Sequence, residues 1–344
     1  MAGKKHGPDP GLQQLKQDLA RDTIGTLYVF YGEEVFLRDA YLEQLKTKLL
    51  PAGAEAFNLH VFQGKDLETW ALSDAVNAFP MMAQRTMVLV YDYDLYKNES
   101  RRDALMTLLE DLPDYVCLIF LYDLMEYKAG GNTKLGKLVK KKATIVQFHP
   151  QNQSDLNAWI RRRFHTFHKE IDNATAEYLT FLCGGLMTGL ASEIDKIGAY
   201  APGDHITKAD MDAVVDPVLD ARVFQMTDAI SERNFSRASE ILSDLYRMNT
   251  EPIVILAVLG RHLRQLWSAR LVLERRMGQG ELAALWEMKS PWQARKLMDA
   301  ARRFDLPWCR RAVKRCAETD LSMKSSGLDN QALLTALLLQ LANG

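Results

Sequence analysis

Cysteine is scarce in this chain of 344 residues: Cys117, Cys183, Cys309 and Cys316 are the only four. No two are spaced C-x-x-C, and the last two stand seven apart. That excludes a zinc ribbon and a disulfide scaffold, and it points to a reducing, cytoplasmic setting. Long apolar runs are also missing. The longest, such as Ile253–Leu259 and Leu333–Leu339, fall far short of the roughly 20 residues that span a bilayer. Met1 to Gly11 is polar and lacks the apolar centre of a signal peptide. Membrane and secreted classes are therefore not expected. Neither sign of charge dominates: 43 Lys and Arg stand against 44 Asp and Glu, a net of -1. The totals exclude a strongly basic nucleic-acid protein, though not a local basic surface. What is present is the ordinary balance of a globular protein, 47% hydrophobic and 25% charged. The length suits two or three domains, each able to bury a core.

The charge is unevenly spread. Residues 217–344 hold 19 Lys and Arg against 14 Asp and Glu, and residues 1–216 hold 24 against 30. The pattern changes along the chain as well. Leu27–Tyr31, Asn58–Phe62, Thr86–Tyr91, Val116–Leu121 and Thr144–Phe148 are short runs rich in Val, Ile, Phe and Tyr. Each reads as a strand covered on both faces. Stretches of helical period, such as Glu33–Leu50 and Leu67–Phe79, lie between them, which predicts a parallel sheet with right-handed crossovers. After His149–Pro150 the strand signal stops. A polar break follows, in which Asn152 or Ser154 can cap a helix. About three short helices are expected up to Asp212, a hinge at Val215–Pro217, and amphipathic helices from there on, one starting at Ser290–Pro291–Trp292. The expected layout is an α/β domain over 1–150, a small helical lid over 151–216, and a C-terminal helical domain over 217–344. That order is similar to the layout of AAA+ ATPases, a likeness of fold that does not establish function.

A phosphate-binding P-loop would follow the first strand as G-x-x-x-x-G-K-[ST], with glycines for backbone approach, Lys for charge and a hydroxyl for magnesium. Here the segment runs Gly32-Glu33-Glu34-Val35-Phe36-Leu37-Arg38-Asp39. Leu37 replaces the second glycine, Arg38 the lysine and Asp39 the hydroxyl residue. Glu33 and Glu34 bring negative charge to the helix start, where a phosphate would sit. The position is kept and the motif is lost, so no cofactor is expected. Gly131 to Leu138 fits the spacing except for Leu138, but it does not directly follow the first strand. Asp92 and Asp123 end apolar runs as a Walker B acid does. His165 and His168 have no further ligands at metal spacing, so no metal site is expected. No catalytic motif appears.

Several segments, taken in order, resemble the delta subunit of the bacterial DNA polymerase III clamp loader over nearly the whole chain. They are Leu27–Ala40, Asn58–Asp92, the Glu193-Ile194-Asp195-Lys196-Ile197 element, Val223–Met226, and Asp320 with Lys324. The resemblance implies a non-catalytic, AAA+-like subunit of a hetero-pentameric loader, cytoplasmic, with 217–344 in a collar. It implies binding and opening of the ring-shaped sliding clamp for loading onto primed DNA, without ATP hydrolysis by this chain. It also implies membership of a polymerase holoenzyme without an active site of its own. The family's clamp-contact element falls on Ala78–Ala83, at Phe79, Met81 and Met82. The family commonly has Leu-Phe where this chain has Met81-Met82, which makes a less rigid anchor. From the residues alone, Pro80 ends the preceding helix and puts these side chains on a turn. Without the resemblance, the favoured reading makes Met81 and Met82 the start of the third strand's core. Competing functions are an active ATPase using Gly131–Leu138, and a DNA-binding protein acting through its positive C-terminal part. Three basic clusters bear on the latter: Lys137 with Lys140–Lys142, Arg161–Arg163, and Arg261, Arg264, Arg270, Arg275 and Arg276. A solvated face is the default for each.

Overall fold

A computed structural model describes residues 9–96, 99–232, 234–288 and 291–343. They form two compact units, one ending at Pro150 and the other beginning at Gln151.

The first unit runs α1 (Pro10–Arg21), β1 (Leu27–Tyr31), α2 (Val35–Leu49), α3 (Glu55–Asn58), β2 (Leu59–Gln63), α4 (Thr69–Asn77), β3 (Thr86–Tyr91), α5 (Glu99–Glu110), β4 (Val116–Leu121), α6 (Lys134–Lys142) and β5 (Thr144–Gln147). All strand pairs are parallel, in the order β2-β3-β4-β1-β5. The two-residue period of a strand sorts its side chains into two layers. Leu27, Val29, Val88, Val90, Leu118 and Phe120 face Leu72 and Val76 of α4, Leu105 and Leu109 of α5, and Leu135 and Val139 of α6. Tyr28, Phe30, Met87, Leu89, Cys117 and Ile119 face Leu15 and Leu19 of α1 and Leu45 and Leu49 of α2. Every residue of β4 is buried, as its unbroken apolar run requires.

β2 departs from the expectation of two covered faces. It is an edge strand, and Val61 is exposed. The opposite edge is covered by α1, an element not expected from the sequence. Gly11 allows that approach, since a Cβ there would lie 1.8 Å from the Ile145 carbonyl oxygen. The Asp9 carboxylate accepts the Leu12 N–H at 2.8 Å and caps the helix.

The second unit is helical: α7 (Gln153–His165), α8 (Asn173–Cys183), α9 (Met187–Tyr200), α10 (Lys208–Val214), α11 (Leu219–Ser231), α12 (Phe235–Arg247), α13 (Pro252–Glu274), α14 (Gln279–Leu285), α15 (Pro291–Ala301), α16 (Leu306–Ser325) and α17 (Asn330–Ala342). Four helices, not three, precede residue 216, because Thr207 and Asp210 close a capping box that starts α10. Asn152 supplies the cap of α7. Ser290 lies outside the described residues. α13 is the central member, with Ile255, Leu256, Leu259 and Leu263 buried against α11, α12, α16 and α17. Leu337 and Leu338 are buried in the same core. Phe181 of α8 packs at a tilt against Trp292 of α15, with ring centroids 4.3 Å apart, and edge-to-face against Phe224 of α11 at 5.1 Å. The connection at 215–218 is held by the Val218 N–H donating to the Leu182 carbonyl and by Arg222 pairing with Asp216.

The chain thus runs from a parallel-sheet unit into a helical unit, the α/β plus all-α order expected from the sequence. No described helix is long and apolar enough to cross a membrane.

Candidate functional site

A parallel sheet gathers the residues after its strands on one rim and those before its strands on the other. The expected sites fall on opposite rims.

On the rim after the strands, Gly32 has φ +125°, and a Cβ there would lie 2.3 Å from the Phe148 carbonyl oxygen. Glu34, fully buried, donates its N–H to that same oxygen at 3.1 Å, and α2 starts at the next residue. The turn is too short and too closely packed to loop around phosphates. Leu37 lies against the α1–α2 side of the sheet. Arg38, at the lysine position of a P-loop, is buried and donates to the carboxylates of Asp39 and Asp123. These carboxylates hold the guanidinium pKa above its ordinary value against the opposing effect of burial. Asp92 has φ +51° and accepts three backbone N–H groups, those of Asp123, Leu124 and Met125, at 2.9–3.0 Å. The two acids that end strand runs are thus engaged by the protein's own donors, one by a cation and the other by a turn.

The Gly131–Leu138 segment is the start of α6. The Thr133 hydroxyl accepts the Gly136 N–H at 3.0 Å and donates to the Gly130 carbonyl at 2.7 Å. Gly136 is needed for close packing, since a Cβ there would lie 2.6 Å from the Gly130 backbone. The backbone donor that a phosphate would use at this glycine is therefore occupied by the cap.

On the opposite rim, α4 ends at Asn77 and the chain crosses to β3 through residues 78–85. Phe79, Met81 and Met82 are 80%, 57% and 86% exposed. The strand's buried residues begin only at Thr86, so Met81 and Met82 do not start its core. Met82 has φ +57°, an unusual conformation for an unbranched apolar side chain. The Phe79 ring lies 5.3 Å from that of Tyr115.

The loop is held at several points by residues the sequence did not single out. Asn58, fully buried at the end of α3, donates to the Met81 carbonyl and accepts the Met81 N–H, each at 2.7 Å. The Arg85 guanidinium donates to the carbonyls of Ile24, Gly25 and Val116. Tyr115 donates its hydroxyl to the Asn77 carbonyl at 3.2 Å, and Thr86 donates to Ala78 at 3.3 Å. Gly25, Asn58, Arg85 and Tyr115 precede β1, β2, β3 and β4 in turn, which is why one rim brings them together.

The remaining motifs resolve into ordinary helix surfaces. Lys140 and Lys141 are exposed, and Lys142 donates to the Glu110 carbonyl. Arg163 pairs with Asp195 through two nitrogens, and Lys196 pairs with Glu193 at 2.7 Å. Ile194 and Ile197, in the same element, are buried. Arg261 pairs with Asp220, Arg270 with Glu274, and Lys324 with Asp320. His165 and His168 are exposed. Among the described residues, no cluster of three His, Cys, Asp or Glu side chains could hold a metal.

Residues 28–149 match the family described as DNA polymerase III, delta subunit, and residues 220–341 match that described as DNA polymerase III delta subunit, C-terminal domain. The chain is 26% identical over 334 residues to DNA polymerase III subunit delta of Bacillus subtilis, covering 94% of this chain and 95% of that protein. It is 24% identical over 315 residues to the subunit of the same name in Escherichia coli, covering 91% and 90%. Among solved structures it is similar to the Bacillus subtilis DNA clamp loader delta protein, with TM-score 0.53 and 24% identity, over 97% of this chain and all of that one. Two family matches that together take in more than two thirds of the residues, in the order the sheet and helices follow, place the protein: the chain belongs to the DNA polymerase III delta subunit family.

Proposed function

We propose that this clamp-loader delta subunit binds a sliding clamp through Phe79, Met81 and Met82 and holds the ring open for loading onto primed DNA, without hydrolysing ATP itself. One observation carries the reading. Three large apolar side chains stand exposed on a loop that is tied down at both ends and in the middle. An untethered loop would lose ordering entropy on docking, and this one is ordered beforehand. Burying each such side chain in a partner contributes about 1.5–3 kcal/mol, so three suffice for a transient complex. Opening follows if the loop contacts a clamp surface that is more available in the open ring than in the closed one, since only differential affinity shifts such an equilibrium.

The rim after the strands supports the non-ATPase half of the reading. Arg38 is engaged by two carboxylates, and the turn at Gly32 is closed against Phe148. ATP would be supplied by neighbouring subunits. We assign residues 151–216 to a lid and 217–344 to the collar that joins those neighbours.

The test is co-purification of the full chain with the sliding clamp of its own organism. Replacing Phe79, Met81 and Met82 by Ala is expected to abolish capture and leave the thermal transition in place, since all three side chains are exposed. Capture at undiminished affinity rejects the site. ATP-analogue binding with micromolar affinity and one-to-one stoichiometry rejects the non-ATPase half.

A further inference from the structure

The backbone of the docking loop is governed by a side chain outside it. We propose that Asn58 is the positioning residue of the loop: its carboxamide fixes the Met81 peptide groups, and so sets the direction in which Met81 and Met82 are offered to the clamp. The inference rests on the docking role proposed for the loop and deepens it.

The geometry is that of a strand pair made by one side chain. Asn58 Oδ1 accepts the Met81 N–H, and Asn58 Nδ2 donates to the Met81 carbonyl, both at 2.7 Å. A carboxamide matches a backbone residue in this way because donor and acceptor lie side by side in one plane. The second hydrogen of Nδ2 goes to the Ala54 carbonyl at 2.7 Å, which locks the carboxamide to the first turn of α3. Asn58 is fully buried, whereas the residue it holds is more than half exposed. With both polar groups of Met81 pinned, the next residue enters the left-handed region, and the Met82 side chain turns to solvent. The bonds join a fully buried side chain to the backbone of an exposed residue. Their effect is on direction.

The experiment compares Asn58→Leu, which keeps the branched heavy-atom skeleton and removes every bond, with Asn58→Asp, which keeps the acceptor for the Met81 N–H. Two readouts are taken on the full chain: hydrogen exchange of the Met81 amide, and affinity for the clamp. Val88 and Ile119 amides, deep in the sheet, report that the fold persists. In Asn58→Leu, Met81 is expected to lose its exchange protection, and clamp affinity to fall about 10- to 100-fold. Asn58→Asp is expected to fall between that variant and wild type on both readouts. In a Met82→Ala background, Asn58→Leu is expected to weaken binding by less than in wild type, because positioning acts through the side chain already removed.

A Met81 amide that stays protected in Asn58→Leu overturns the inference. So does wild-type affinity of Asn58→Leu while the triple alanine variant has lost binding, and in that case the docking loop itself stands. If the triple variant binds as wild type, the docking reading falls and takes the positioning role with it.

Discussion

Met82 offers the sharpest test, because stability and binding should respond to it in opposite directions. Its side chain is 86% exposed, so removing it leaves no cavity. Its φ of +57° imposes the left-handed penalty of a residue with a Cβ, about 1–2 kcal/mol. Met82→Ala keeps the Cβ and therefore keeps the penalty. Met82→Gly removes it, at an unfolded-state entropy cost of about 0.4–1 kcal/mol. The glycine variant should thus match the alanine variant or exceed it by up to about 1.6 kcal/mol, and be at least as stable as wild type. Both lose the side chain beyond Cβ, and with it nearly all of the area the methionine would bury against the clamp. At about 1.5–3 kcal/mol for one buried methionine, affinity should fall roughly 10- to 150-fold in each. Urea unfolding of the full chain gives the first quantity as a shift in midpoint at constant slope. Titration against the immobilised clamp gives the second. A glycine variant less stable than the alanine one would show that residue 82 is not held left-handed in solution. Full clamp affinity in both variants would show that the side chain does not dock. A residue under backbone strain for no gain in packing is what a binding loop, and not a structural one, would retain.

Two further predictions concern groups away from the loop. Asp123→Ala strands one side of the buried Arg38 and should lower stability by about 1.5–3 kcal/mol. Arg38→Met should cost less, since it leaves only partly solvated carboxylates behind; the reverse order in urea midpoints would refute the ion-pair account. His262, in the middle of α13, is pushed down to about 3 by burial and by the neighbouring Arg261 charge. Its folded pKa lies below the unfolded value of about 6.5, so its contribution is complete above that value and is lost as pH falls toward 3. Between pH 7 and pH 5 the second unit should lose about 2 kcal/mol, and His262→Leu should flatten that slope. An unchanged slope in the variant would place the acid sensitivity elsewhere.

The limits of sequence reasoning show in particular residues. The runs at 86–91 and 116–121 are strands over the same residues the sequence indicates, because their apolar character is continuous and local. The run at 58–62 is displaced by one residue, since Asn58 closes the turn of α3 before the strand begins. α1 was not expected, because its role depends on Gly11 meeting Ile145, more than a hundred residues away. The lost P-loop was legible as substitutions at Leu37, Arg38 and Asp39. What took its place was not, because Arg38 meets Asp123 across 85 positions. At the loop, residue types alone favour a core placement for Met81 and Met82, which the structure corrects: both are exposed, because the chain reaches the buried strand only at Thr86.

The sequence by itself determined the elements of this protein and their succession, since helix and strand periods are written in neighbouring residues and need no knowledge of what they pack against. Only the tertiary structure decided which residues share a rim of the sheet. Parallel strands bring the residues before each strand together, and there a buried asparagine 23 positions away holds Met81 by its backbone and leaves Met82 to the solvent. A hydrogen bond of that kind has no local signature, because donor and acceptor become neighbours only when the sheet is complete.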